Sequence, residues 1–211
     1  MIRRKQFAVA RSRMNHLCGM LLTALSLGSF SSFAGQAQNP PPPDLKSPGY
    51  QEFSDRVQKY VQLQKSVEGK LPKLKSTNEP ELIEAHQKML TRKIKAAREH
   101  AKHGDIFTPA AAEAFRKTLS TEFQGPHSAH AQATMKQGAP LKQVHLRVNQ
   151  VYPASVPYTS VPPTLLQNLP KLPEEVAYRA VSNDLVLLDV KTNLVLDYLT
   201  GVIPAQEPDH Q

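Results

Sequence analysis

Two pairs of histidines in this sequence have the side chains and the spacing that a metal ion could use. His100 and His103 lie three residues apart with Asp105 just beyond them, and His127 and His130 repeat the spacing. Imidazole nitrogens can hold a divalent ion together with carboxylate or water ligands. No third motif accompanies either pair, and histidines also suit the last turn of a helix, where the dipole favours cations. These five residues are the metal-site candidates, and a metal-binding accessory protein is the alternative function.

Three carboxylates lie in the apolar stretch from Tyr178 to Leu199, and they raise the question of acid–base catalysis. A paired-carboxylate mechanism needs a cleft and one raised pKa. Asp184 and Asp189 instead fall in two predicted turns, at Ser182-Asn183-Asp184 and at Asp189 to Asn193, and Asp is common in turns because it bonds its own backbone. We expect Asp197 on or near a sheet edge. On this interpretation Asp189→Asn costs less than about 1–2 kcal/mol of stability.

The motifs with a known catalytic mechanism are missing from the sequence. It contains no Gly-x-Ser-x-Gly elbow, no His-Glu-x-x-His, no phosphate-binding P-loop and no Gly-x-Gly-x-x-Gly. We therefore predict a protein that is not an enzyme and uses no cofactor. An enzyme of unidentified type ranks third, behind an interaction protein and a metal-binding protein.

The N-terminal segment has the three-part layout of a secretory signal peptide. Five basic residues precede the apolar stretch LCGMLLTALSLGSFSSFA, which ends in Ser32-Phe33-Ala34. A membrane anchor is the alternative, but a spanning helix needs about 20 strongly apolar residues. Residues 1–34 carry no acid, so their removal lowers the net charge from +8 to +3 and takes away the only cysteine, Cys18. The remaining charge argues against nucleic-acid binding.

The rest of the chain divides by composition and period. A period of three to four residues predicts three amphipathic helices: one from Tyr50 to Gly69, one from the STNEPEL segment to Gly104, and one after Thr108-Pro109. The short link predicts that helices two and three pack as a hairpin. The expected organisation is a signal peptide at 1–34, a Pro-rich disordered spacer at 35–48, a helical region at 49–123, a linker at 124–141, a small β-rich module at 142–204 and a disordered tail at 205–211.

The second predicted helix has two distinct sides. The apolar side comprises Leu82, Ile83, His86, Met89, Leu90, Ile94, Ala97 and Ala101, and we expect it to face the core. The opposite side carries Lys88, Arg92, Lys95 and Lys102. A basic stripe can bind an anionic membrane or polyanion. Because acids share that side, we interpret it as a solvated face.

The sequence pattern of the C-terminal third predicts a small antiparallel sheet. Alternation over Val144–Val148 indicates a strand, whereas the Pro-rich segment 152–163 should run irregularly over the surface. Tyr178–Val181 is the next strand, and Leu185–Leu188, apolar on both faces, should be the central one. Residues 194–199 form a third strand or a helical turn. The fold class is therefore α+β, with about three N-terminal helices and a C-terminal sheet.

Two resemblances arise at these residues. GDIFTP at 104–109, LRVN at 146–149 and the segment from Val161 to Leu199 resemble a group of exported bacterial proteins of unknown function, over about residues 50–204. The region of Tyr178-Arg179, Asp184-Leu185, Asp189 and Thr192 is similar to the C-terminal hairpin of periplasmic nickel and cobalt homeostasis (RcnB-type) proteins. The first resemblance implies export and fold, and the second implies a shared small structural unit.

These observations together predict an exported, non-catalytic structural or interaction protein, periplasmic or extracellular. Its partner would be an envelope protein or another cell-envelope component, not nucleic acid. No stable membrane span is expected after signal cleavage.

We predict a mature N-terminus at Gly35, or at Gln38 if Ala37 is the last residue removed, because small residues precede both positions. Intact-mass spectrometry of the protein recovered from cells measures this directly. A mature pool that retains residues 1–34 would contradict the signal peptide.

Overall fold

The computed structural model describes residues 42–74, 78–124, 128 and 144–204. The predicted signal peptide, the tail at 205–211 and most of the linker at 124–141 lie outside the described residues. The helices are α1 (Pro48–Gly69), α2 (Pro80–Ala97), α3 (Pro109–Gln124) and the short α4 (Pro163–Leu166). The strands are β1 (Thr159–Ser160), β2 (Val176–Val181), β3 (Asp184–Asp189) and β4 (Val195–Leu199). Helices and an antiparallel sheet confirm the α+β class.

The first helix, α1, forms the centre of the helical layer. Its predicted apolar face is confirmed, since Tyr50, Phe53, Val57, Tyr60 and Val61 are all buried. Both α2 and α3 pack against α1, so the predicted hairpin between α2 and α3 is wrong. A short link between two helices does not determine which surface each helix packs against. Here α1 offers the larger apolar face.

The contact between α1 and α3 is close enough to need a glycine. A Cβ on Gly49 would lie 2.4 Å from the carbonyl oxygen of Ala110. No side chain fits between the two backbones at this point, so Gly49 sets how closely the N-terminal ends of the two helices approach.

The second helix ends earlier than the sequence predicts. It stops at Ala97, and the left-handed glycine at the predicted stop, Gly104 (φ +87°), lies in a separate turn. The reason is tertiary: the Asn149 Nδ2 donates to the carbonyl oxygens of Lys95 at 3.0 Å and Arg98 at 2.9 Å. A side chain about 50 residues away in sequence thus satisfies carbonyls that a helix end leaves free.

The sheet is a four-stranded antiparallel meander in the order β1-β2-β3-β4. A two-residue turn at Ser182-Asn183 joins β2 to β3, with Ser182 at φ +52°. The prediction that Asp184 belongs to this turn is wrong, because Asp184 is the first residue of β3 and pairs with Val181. The central position of the strand with Leu185–Leu188 is confirmed, because β3 lies between β2 and β4. Residues 195–199 are a strand, which decides the alternative that the sequence left open.

The chain between the third helix and the sheet departs from prediction in two places. Residues 144–148 form no strand, although Val144 and Leu146 are partly buried and His145 and Arg147 are exposed, as their alternation predicts. Just beyond them, Val151 makes an isolated bridge to Leu194. The segment 152–163 is also not wholly irregular, since it contains β1. Residues can therefore alternate between partly buried and exposed positions without forming the hydrogen bonds of a strand.

Each face of the sheet has its own core. Leu185 and Leu187 point toward the helices and join a cluster that includes Phe53 and Phe115. Val186 and Leu188 point the other way and pack with Tyr152. The helices and the sheet therefore share one main core, and the loop chain at 144–156 covers the other face.

A bulge in β4 changes which residues face the helices. Leu188 pairs with Val195 and Leu187 pairs with Asp197, so Leu196 is an extra residue. Leu196 and Asp197 consequently lie on the same side of the sheet instead of alternating. This places the Asp197 carboxylate between the sheet and the helical layer.

Leu187→Ala should lower the free energy of unfolding by about 2–5 kcal/mol, because truncating a buried leucine removes transfer energy and leaves a cavity. Leu187 is fully buried, whereas Val190, just after β3, is exposed. Urea denaturation of both variants tests this, with Val190→Ala as the control that should unfold like the parent. Equal stability of Leu187→Ala and the parent would contradict the assigned core.

Candidate functional site

The carboxylate of Asp197 is completely buried and surrounded by backbone donors. Its Oδ1 accepts from the N–H groups of Gly104 at 3.0 Å and Tyr198 at 2.9 Å. Its Oδ2 accepts from Ile106 and Phe107, both at 2.9 Å. Hydrogen bonds of this kind, from neutral donors to a charged acceptor, are strong. Asp197 therefore fixes the chain that connects α2 to α3.

The position of Asp197 in the sheet agrees with the sequence, but its environment does not follow from it. The residue lies on β4, which is the last strand of the sheet and so an edge, as predicted. An edge position would ordinarily leave a carboxylate in water. Here the bulge turns the side chain toward the helical layer, and the chain between α2 and α3 covers it.

Among the metal-site candidates that the structure describes, His103 alone lies against a buried carboxylate. Its Nδ1 is 3.2 Å from Asp197 Oδ1, and its ring stacks on Tyr198 with a centroid distance of 4.3 Å. The side chain is about half exposed. This arrangement holds the imidazole in one orientation and leaves Nε2 as its other polar atom.

The carboxylate of Asp189 is the second buried charge at the interface between helices and sheet. Its Oδ2 accepts from the Tyr60 hydroxyl and from Gln64 Nε2, the latter at 2.6 Å. Its Oδ1 accepts from the Thr192 N–H at 2.7 Å. Two donors come from α1 and one from the β3–β4 turn, so Asp189 joins the two layers. The prediction that Asp189 is only a turn residue is therefore incomplete.

A single cation, Arg98, lies close to both buried carboxylates. Its guanidinium lies over the Tyr60 ring at 5.1 Å, and its Nη2 donates to the Leu196 carbonyl at 3.0 Å. Burial lowers the pKa of Arg98, while Asp197 and Asp189 act in the opposite direction. Burial also raises the pKa of the Tyr60 hydroxyl, and the Asp189 charge adds to that effect. The cluster is a buried polar network that the helices and the sheet share.

The structure does not bring the other metal candidates together. His100 is exposed beside Glu99, with Nε2 3.4 Å from its carboxylate. Asp105 accepts from the Lys102 N–H at 2.7 Å. His127 and His130 lie outside the described residues. Within the part of the chain that the structure describes, no three His, Cys, Asp or Glu side chains form a group that could hold a metal ion.

A groove of about 710 Å³, here called the α1–α2 groove, lies between α1 and α2. Buried Leu71 and Leu90 form its floor, and Leu74 and Ile83 form its apolar sides. Its rim carries Lys65, Lys73, Lys191, Glu68 and His86. The groove therefore combines an apolar floor with a mainly basic rim.

Exposed apolar residues lie beside this groove, both at the start of α2 and in the chain that precedes it. Leu74, Leu82 and Ile83 are 42%, 46% and 38% exposed, respectively. Of the residues predicted to face the core from α2, only Leu90 and Ile94 are fully buried. Leu82 and Ile83 therefore depart from the predicted core. Their position on the apolar stripe was visible in the sequence, but nothing there indicated that α1 covers only the later turns.

None of the described helices is long and apolar enough to cross a bilayer.

The three donors on Asp189 raise the expected cost of Asp189→Asn above the small one that the sequence predicts. This substitution should destabilise the protein by about 2–4 kcal/mol, because an amide has one acceptor oxygen where three donors converge on a buried carboxylate. Asp184→Asn is the matched control: Asp184 is only partly buried and accepts from Gly201 N–H at 3.0 Å. Asp184→Asn should lower the free energy of unfolding by less than about 1 kcal/mol. Urea denaturation compares the two variants, and equal losses would argue against the network described above.

Comparisons with known proteins identify no relative of this chain. No family model, no curated protein and no solved structure matches the chain. The two resemblances drawn from the sequence stay predictions. A proposal for function therefore rests on the residues and on the geometry described above.

Proposed function

We propose that this chain is an exported, non-catalytic interaction protein that binds a component of the cell envelope through the α1–α2 groove. The observation that carries the proposal is that two exposed apolar side chains, Leu74 and Ile83, line the groove above its apolar floor, with the exposed Leu82 next to Ile83 on α2. Single exposed hydrophobic residues are ordinary on protein surfaces, but contiguous ones that border a groove are typical of binding sites.

The packing of α2 supports the same conclusion. Its last turns are held by Leu90, Ile94 and the contacts of Arg98, whereas the first two turns have no fully buried residue. Helices gain most of their stability in water from burying an apolar face. A partner that covers Leu82 and Ile83 would supply the burial that the first turns lack.

The two buried carboxylates support an interaction role over catalysis. Asp189 and Asp197 are both fully buried, and donors from the protein occupy their oxygens. A general acid or base must come within hydrogen-bond reach of its substrate. In this arrangement the carboxylates hold α1 and the α2–α3 connection on the sheet, which is a structural task.

The metal-binding alternative retains one supporting contact, the His103–Asp197 pair. A carboxylate on the far nitrogen is a common companion of metal-bound histidine. Of the nearby candidates, however, His100 faces Glu99 and Asp105 binds the Lys102 backbone. The α1–α2 groove is the better supported site, and export rests on the N-terminal sequence alone.

Site-specific photo-crosslinking in living cells tests the proposed function. A photoreactive benzoylphenylalanine in place of Ile83 or Leu74 should yield defined adducts, because a bound component would lie against these side chains. The matched control is Leu166 on α4, which is 41% exposed but does not line this groove. Adducts that form equally at Leu166, or at none of the three positions, would contradict the groove as the binding surface.

A further inference from the structure

The α1–α2 groove presents more positive than negative charge to whatever occupies it. Three lysines from three separate segments line it: Lys65 from α1, Lys73 from the chain after α1, and Lys191 from the β3–β4 turn. Glu68 is the only acidic residue among the lining side chains described. Lysines from distant parts of the sequence therefore converge on one apolar groove.

These lysines remain available to an incoming acid. Lys65 Nζ lies 2.7 Å from the buried Glu175, and Lys191 Nζ lies 2.7 Å from the half-buried Glu68, while the two lysine side chains themselves are 62% and 48% exposed. An ammonium group has three N–H donors, so the exposed side of each lysine can bind a second carboxylate while the first pair stays in place. Among the described residues Lys73 forms no ion pair.

We infer that the occupant of the groove is an acidic amphipathic segment of a partner protein, with apolar side chains on the floor and carboxylates at the lysine rim. This inference rests on the proposed function and names the chemistry of the partner. Amphipathic helices commonly bind by laying an apolar face into a groove of this kind. The rim charges then set the register and select acidic over basic segments.

Two other occupants fit the groove less well. A second copy of this chain would have to bring acids to the lysines, yet Glu81 lies two residues from Ile83, about 200° around α2. Glu84, the residue after Ile83, lies about 100° around the helix from it. A flat anionic bilayer would meet the protruding Leu82 but would leave the concave floor at Leu71 and Leu90 uncovered.

A peptide pool tests the inference while the natural partner is still unidentified. The pool consists of helical peptides with a fixed leucine stripe, whose remaining positions are drawn from Glu, Gln and Lys. The purified full chain, in the processed form that cells deliver, captures peptides, and sequencing compares the bound pool with the input. We expect glutamate near the leucine stripe to be enriched about two- to fivefold over lysine, the range that exposed charge pairs give.

Matched variants locate the effect on the groove. Lys73→Glu should abolish or reverse the glutamate enrichment, whereas Lys171→Glu, at an exposed lysine outside the groove, should leave it unchanged. Leu74→Ser should reduce capture of the whole pool, and Leu166→Ser, at a comparably exposed leucine, should not. Thermal melting confirms that each variant is folded before capture.

Several outcomes would overturn the inference. With the parent protein, these outcomes are no capture of peptides, capture without charge preference, or enrichment of lysine. An equal effect of Lys73→Glu and Lys171→Glu would also contradict the inference. So would binding to phosphatidylglycerol vesicles in place of peptides. Each of these leaves the crosslinking comparison between Ile83 and Leu166 intact. Failure of the acidic segment is therefore distinguishable from failure of the groove as a binding surface.

Discussion

Two carboxylates buried between the helices and the sheet constrain the whole arrangement. A charge removed from water is tolerated only when donors surround it. For Asp189 the donors are Tyr60 and Gln64 on α1, and for Asp197 they are mainly backbone N–H groups at 104–107. Because these partners lie in separate segments, satisfying the two charges fixes where α1 and the α2–α3 connection rest on the sheet.

The same constraint places the two ends of α2 in different environments. Contacts with other segments hold the C-terminal end, whereas the N-terminal turns are exposed. Arg98 reaches the Leu196 carbonyl and the Tyr60 ring, and Asn149 binds the last carbonyls of the helix. These contacts all lie at the C-terminal end. The N-terminal turns extend past the surface that α1 covers, and the α1–α2 groove lies beside them. The polar network therefore lies at one end of α2, and the exposed turns beside the proposed binding groove lie at the other.

Apolar packing and the polar network support each other across this interface. Phe53 stacks on Phe107 at 5.2 Å, and Phe107 is also one of the backbone donors to Asp197. The aromatic contacts position the donor chain, while the carboxylate satisfies N–H groups that would otherwise be buried without partners. Neither part of the interface would be stable in this form without the other.

Several features of the fold depend only on local sequence pattern and were predictable from it. The three helices, the turn at Ser182-Asn183 and the central position of Leu185–Leu188 follow from period, turn chemistry and continuous apolarity, which neighbouring residues alone define. The lysine-rimmed groove was not predictable in this way, because Lys65, Lys73 and Lys191 come from segments that only folding brings together. Tertiary structure likewise decided where α2 ends, through Asn149, and which way Asp197 points, through the bulge at Leu196. A one-residue bulge reverses the side of a strand without changing its composition, so the burial of that carboxylate became evident only once β4 had paired with β3.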